Sequence, residues 1–236
     1  MSSNQEQKHS AVDNALVQSQ AFFIKNRNRV IYGAIAVVAV IALCIGGYIY
    51  LQKQNEKAQE LIGQGVQYIQ TQDLDKALKG DGKSFPGYIR IAKSYSFTDG
   101  ANVANAFAGI CLAQQGKKKE AITYLEKFSA QDDHSLTPAV LAALANCYAS
   151  NNQVDKAIST FKEAAEKADN EALSPFYLLQ AGILLENQKK FAEAKEVYET
   201  IKKDYPTSQL SAEQPTPDGA SIQDAYIQRY IERATR

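Results

Sequence analysis

Residues 77–84 read ALKGDGKS, which fits the looser spelling of a phosphate-binding loop, GxxxxGK[ST] with Ala in place of the first Gly. Such a loop works when a preceding strand and a long following helix aim backbone N–H groups at one point. The surrounding residues do not supply that context. Residues 73–79 read as a short helix that Gly80 ends. Ser84 is placed to cap a new helix begun by Pro86, with Tyr88, Ile89, Ile91, Ala92 and Tyr95 as its apolar face. No βαβ rhythm or second acidic-strand motif accompanies it. The expectation is a helix break, with no nucleotide bound.

Other chemistry is equally unsupported. Asp73 and Asp75 lack the remaining ligands of a calcium loop. Cys44, Cys111 and Cys147, with His9 and His134, are too few and too scattered for a disulfide framework, a zinc site or a Cys/His pair. No Ser/His/Asp arrangement exists either. Lys plus Arg equals Asp plus Glu at 26 each, so no broad basic field is available for nucleic acid. The sequence points to a non-enzymatic protein without cofactor or metal.

What must be positioned is therefore a surface, and the first positioning element is apolar. Residues 30–51, VIYGAIAVVAVIALCIGGYIYL, carry no charge. As a helix they span about 33 Å, enough for a bilayer core, and Tyr32, Tyr48 and Tyr50 sit near the ends, where amphipathic rings favour the interface. A cleavable signal peptide has a shorter apolar region and an early basic end, whereas 29 residues come first here. The lipoprotein-like box Ile41-Ala-Leu-Cys44 fails because Leu43 is too large. Lys25, Arg27 and Arg29 before the span, against Lys53 and Lys57 after it, put the N-terminus in the cytoplasm and the rest across the membrane. In the 1–29 tail, Val12, Leu16 and Phe23 are spaced for one helix face, which fits either an amphipathic segment on the membrane or a disordered tail.

The remainder has helical composition and an internal offset. Four small residues are each followed twelve positions later by alanine: Gly65 by Ala77, Gly109 by Ala121, Ala145 by Ala157, and Gly182 by Ala194. Around them stand Leu141-x-x-Leu144-Ala145-x-x-Tyr148 with Phe161, Leu178-x-x-Ala181-Gly182-x-x-Leu185 with Tyr198, and Asn105-x-x-Ala108-Gly109-x-x-Leu112 with Leu125. These resemble the tetratricopeptide pattern W-x2-L-G-x2-Y…A-x3-F…P. The small residues let paired helices approach closely. The first unit departs from the pattern: 44 residues separate Ala77 from Ala121, so about ten are inserted after Ala77. Cys111 and Cys147 share one repeat position and read as free buried thiols.

The reading is all-α. A transmembrane helix at 30–51 leads into a TPR-like solenoid of about four divergent repeats, at 52–101 (with an inserted helix), 102–137, 138–174 and 175–208. A linker at 209–219 and a helix at 220–236 follow; Ile222, Tyr226, Tyr230 and Ala234 suit that helix to cap the last repeat, the alternative being a detachable helix that occupies a groove or a partner.

First helices of such repeats line the inner face. The family's groove positions fall on Val103, Ala106, Phe107 and Ile110, then on Ala139, Ala142, Ala143 and Asn146, then on Phe176, Leu179 and Ile183. Apart from Asn146, the residues with which cochaperone members grip a C-terminal carboxylate are missing. The groove reads as apolar and shallow, suited to a hydrophobic segment or partner helix; the same aromatic residues also suit core packing.

The arrangement as a whole, with its GDGK-x-F-P-G insertion, LEKFSAQDD and PFYLLQAGILLE, resembles membrane-anchored TPR proteins of the Bacteroidota envelope, similar in layout to the YfgM-like ancillary subunit of the Sec translocon. That resemblance implies an inner-membrane protein with periplasmic repeats, partnered by SecYEG, a PpiD-like chaperone and client polypeptides. The alternative is a structural scaffold of an envelope assembly or secretion complex.

Overall fold

The computed structural model describes residues 24–212, 214–215, 222–223 and 225–235. The tail positions Val12, Leu16 and Phe23 lie outside the described residues. The chain divides into two units, residues 1–53 and 54–236. Helix α1 (Arg27–Gln70) contributes to both.

In the first unit, α1 carries one 18-residue window with a mean hydropathy of 2.5, none of it buried. Ile35, Val38, Ile41 and Leu43 all face outward. By length and composition this helix can cross a membrane.

In the second unit the end of α1 is followed by α2 (Leu74–Lys79), α3 (Tyr88–Ser94), α4 (Asp99–Gln114), α5 (Lys118–Leu125), α6 (Leu136–Ser150), α7 (Val154–Ala168), α8 (Ser174–Asn187), α9 (Phe191–Asp204) and α10 (Tyr226–Thr235). The fold is all-α. Its one extended feature among the described residues is a two-residue antiparallel pair, β1 (Gln214–Pro215) with β2 (Ile222–Gln223). The last helix accordingly begins at Tyr226 rather than at residue 220.

Four helical hairpins share one turn. Seven residues after each small residue the backbone enters the left-handed region: Gln72 at φ 59°, Gly116 at 77°, Asn152 at 59° and Lys189 at 62°. The following amide then reaches back across the turn. Asp73 N–H donates to Tyr68 O at 2.8 Å, and Lys117 to Leu112, Gln153 to Tyr148 and Lys190 to Leu185, each at 2.9 Å. This is the six-to-one closure of a Schellman turn. The repeat alanines start the second helices: the amides of Ala77, Ala121, Ala157 and Ala194 donate to the carbonyls of Asp73, Lys117, Gln153 and Lys190. One backbone device thus recurs on four different turn sequences.

Small residues set the helix spacing. A Cβ at Gly109 would stand 2.5 Å from Leu125 Cγ, and one at Gly182 would stand 2.7 Å from Tyr198 Cζ. Ala121, Ala145, Ala157 and Ala194 are fully buried, as is Ala77. In the first hairpin the residue equivalent to Leu125 and Tyr198 is Asp81, in the loop after α2. Here the space over Gly65 is filled from the insertion, with Phe85 Cζ 2.5 Å and Tyr88 Oη 2.6 Å from a Cβ built at Gly65. Four rings continue this packing: Tyr68 on Phe85 at 5.6 Å, Phe85 on Tyr88 at 5.3 Å, and Tyr88 on Phe107 at 5.1 Å.

The insertion differs from expectation at its helix start. Helix α3 begins at Tyr88 behind Gly87 at φ 88°, and neither Ser84 nor Pro86 starts or caps it. The cause is Asp81, whose Oδ1 accepts the amides of Lys83 (2.8 Å) and Phe85 (3.0 Å) and holds those residues in a turn.

At the far end, α10 covers α9. Ile227 is fully buried, its amide donates to Leu210 O at 2.9 Å, and the Tyr198 and Tyr230 rings meet at 5.3 Å. The Arg233 guanidinium forks onto Glu186, with Nε donating to Oε1 at 3.0 Å and Nη2 close to Oε2. The helix caps the last repeat.

Candidate interaction surface

The charge distribution separates the two helices of each of the last three hairpins. Among first helices, α4 has one charged residue, Asp99, α6 has none, and α8 has only Glu186. The second helices are studded with charge: Lys118, Lys119 and Glu120 in α5, Asp155, Lys156, Lys162, Glu163, Glu166 and Lys167 in α7, and a similar set in α9. A second helix with one polar and one apolar face sits on a surface in the usual way. A first helix apolar nearly all round must either be buried or present apolar surface. These helices do both.

The residues expected to line the groove fall into two groups. Ala106, Ala142 and Leu179 are buried and shape the surface only from beneath. Val103, Phe107, Ile110 and Ala143 are half-buried against the first core cluster, and Ile183 against the second. Phe107 also meets the Tyr88 ring. Ala139, Asn146 and Phe176 reach solvent, Phe176 with 37% of its surface. Asn146 Nδ2 donates to Ala142 O at 2.9 Å, within its own helix. The accessible strip is therefore small side chains, one amide and an aromatic ring, with Phe191 exposed at the start of α9.

ALKGDGKS is built for a different purpose from phosphate binding. Its loop amides already face an anion: Asp81 takes the Lys83 and Phe85 N–H groups and the Tyr68 hydroxyl, the last at 2.9 Å. The Lys83 amide foremost, then the Tyr68 hydroxyl and Phe85 amide, hold the Asp81 carboxyl at about 2. The same contact raises the Tyr68 phenol. Among the described residues no cluster of His, Cys, Asp and Glu could hold a metal. Cys111 and Cys147 are free and buried; burial pushes the Cys111 thiol up to about 11.

One residue gave no signal in the sequence. Phe97, between α3 and α4, is 92% exposed and has φ 76°.

A family model described as Tetratricopeptide repeat matches residues 112–183, and a second of the same description matches residues 177–208. A crystal structure of nearly identical TPR-like repeats from a candidate kinesin light chain of Podosopora anserina superposes with a TM-score of 0.54 at 13% identity, covering 76% of this chain and 86% of that one. A single-substitution variant of those repeats gives 0.53 at 13% identity, covering 76% and 85%. No curated protein matches the chain. The chain thus carries tetratricopeptide repeats, a fold that works as a protein-interaction module.

Proposed function

We propose that the protein is a non-enzymatic, membrane-anchored interaction module that serves as an ancillary periplasmic subunit of the SecYEG translocon. It works beside a PpiD-like chaperone on secreted or membrane polypeptides. The observation that carries this reading is the nearly uncharged strip along α4, α6 and α8, set against charged second helices. An uncharged strip favours an apolar segment, because a charged one would be desolvated without a partner. Residues 30–51 hold the repeats at the membrane, which raises their effective concentration near emerging chains and lets weak, broad contacts suffice. The cation excess before the span supports an orientation with the repeats outside the cytoplasm. The layout resemblance supports the Sec assignment.

The test is recovery of the full-length protein from native membranes in mild detergent, with mass spectrometry of what accompanies it. SecY and a periplasmic isomerase-like protein are expected, both lost on deletion of residues 30–51. Stoichiometric recovery of an outer-membrane assembly or secretion machine instead would overturn the translocon reading in favour of a structural scaffold.

A further inference from the structure

Phe97 combines two unfavourable features. A left-handed backbone strains a bulky side chain, which glycine avoids, and an exposed ring gains nothing from burial. Among the described residues the other non-glycine residues with positive φ are polar: Gln72, Asn152 and Lys189 in the hairpin turns and Asp169 after α7. Phe97 alone among them is aromatic, and it points into water.

Its turn is firmly tied. Thr98 Oγ1 donates to Tyr95 O at 2.7 Å and accepts the Ala101 amide at 3.1 Å. The Gly100 amide donates to Asn55 Oδ1 at 2.8 Å. Asn55 follows Leu51, the last residue of the apolar stretch, by four residues. Gly100 is thereby tied to the segment that follows the apolar stretch in sequence.

Beside Phe97 opens a cleft of about 730 Å³, with Ile89, Ala92 and Tyr124 in its wall. Lys93 and Lys127 stand exposed on it, and Asp99 is the one carboxylate among its lining residues. Neither lysine forms an ion pair among the described residues. Lys127 lies over the Tyr124 ring at 5.5 Å. An exposed ring on one cleft with two lysines outside any ion pair is the chemistry of an interfacial contact with acidic lipid. We propose that Phe97, with Lys93 and Lys127, docks on the headgroup region of an anionic phospholipid bilayer. The contact orients the repeats at the membrane surface. It rests on the reading of residues 30–51 as a membrane span.

The chain contains no tryptophan, so Phe97→Trp installs a single reporter. The full-length variant is reconstituted into phosphatidylcholine vesicles with and without phosphatidylglycerol, made from ordinary or brominated acyl chains. The expected result is blue-shifted emission that loses most of its intensity in brominated vesicles. That loss shrinks without phosphatidylglycerol or with Lys93→Glu and Lys127→Glu, and the matching Phe191→Trp reporter on α9 is unaffected. Red emission from position 97, open to aqueous acrylamide and indifferent to bromine while the protein floats with the vesicles, overturns the docking alone. A protein that fails to float overturns the span and the docking together. Phe97→Gly relieves the strained φ, so its thermal midpoint is expected to hold while vesicle-dependent protection of residues 95–98 from hydrogen exchange is lost.

Discussion

Tyr88 lies over Gly65, its hydroxyl donating to the Ile62 carbonyl at 3.3 Å, so the insertion takes the place that a full second helix fills in the later hairpins. Gly65→Ala drives a methyl into Phe85 and Tyr88, both buried in a ring stack that cannot swing aside. Overpacking costs about 1–3 kcal/mol, against a gain of up to ~1 kcal/mol in helix propensity. Gly63→Ala, on the same helix with nothing within 4 Å, has only the gain. Thermal melts in detergent should therefore move down for the first and stay level or rise for the second.

Asp81 sets an acid limit on the first repeat. Its carboxyl is held at about 2 against an ordinary 3.8. A depressed folded value means the stabilisation is fully present above the unfolded pKa and disappears as pH falls through the folded one. Hydrogen exchange of residues 80–88 should accelerate between pH 4 and pH 2 in the native protein. In Asp81→Ala those amides should already be unprotected at neutral pH, with little further change on acidification.

Arg233 fastens the cap. Glu186 has only 10% of its side chain exposed, so losing the guanidinium leaves a nearly buried carboxylate unpaired. Arg233→Ala is expected to cost about 1–2 kcal/mol and to release residues 226–235 in hydrogen exchange. Arg233→Lys should recover part of the protection, because it restores the charge without the fork.

The accessible strip predicts a separation of binding from stability. Phe176 has 37% of its surface exposed, so Phe176→Asp should lower the unfolding free energy by no more than about 1 kcal/mol. Capture of an apolar model segment by the full-length protein, read by fluorescence anisotropy, should fall at least tenfold. Glu163→Ala on the charged side of α7 should leave it unchanged.

The sequence carried the repeat because side chains mark it: a small residue and an alanine twelve positions on are required wherever two helices approach closely. The shared left-handed turn was hidden because Gln72, Gly116, Asn152 and Lys189 have nothing in common but a backbone angle. The start of α3 was misplaced because Ser84 and Pro86 are ordinary helix-start residues, whereas Asp81, three and five positions earlier, takes the amides that decide the turn. Phe107 at a groove position could not be separated from core by pattern alone. Its neighbour Tyr88 comes from the insertion, which no repeat alignment supplies. Phe97 left no trace, since exposure and φ are properties of the folded chain.

On the proposed function, the uncharged first-helix strip receives apolar polypeptide in the cell. The most direct measurement is photocrosslinking from a reactive side chain at position 139 or 176, compared with position 163, in the full-length membrane-bound protein. Adducts with translocating chains are expected from 139 and 176 and none from 163. Adducts of equal yield from all three positions, or none from the strip, would contradict it.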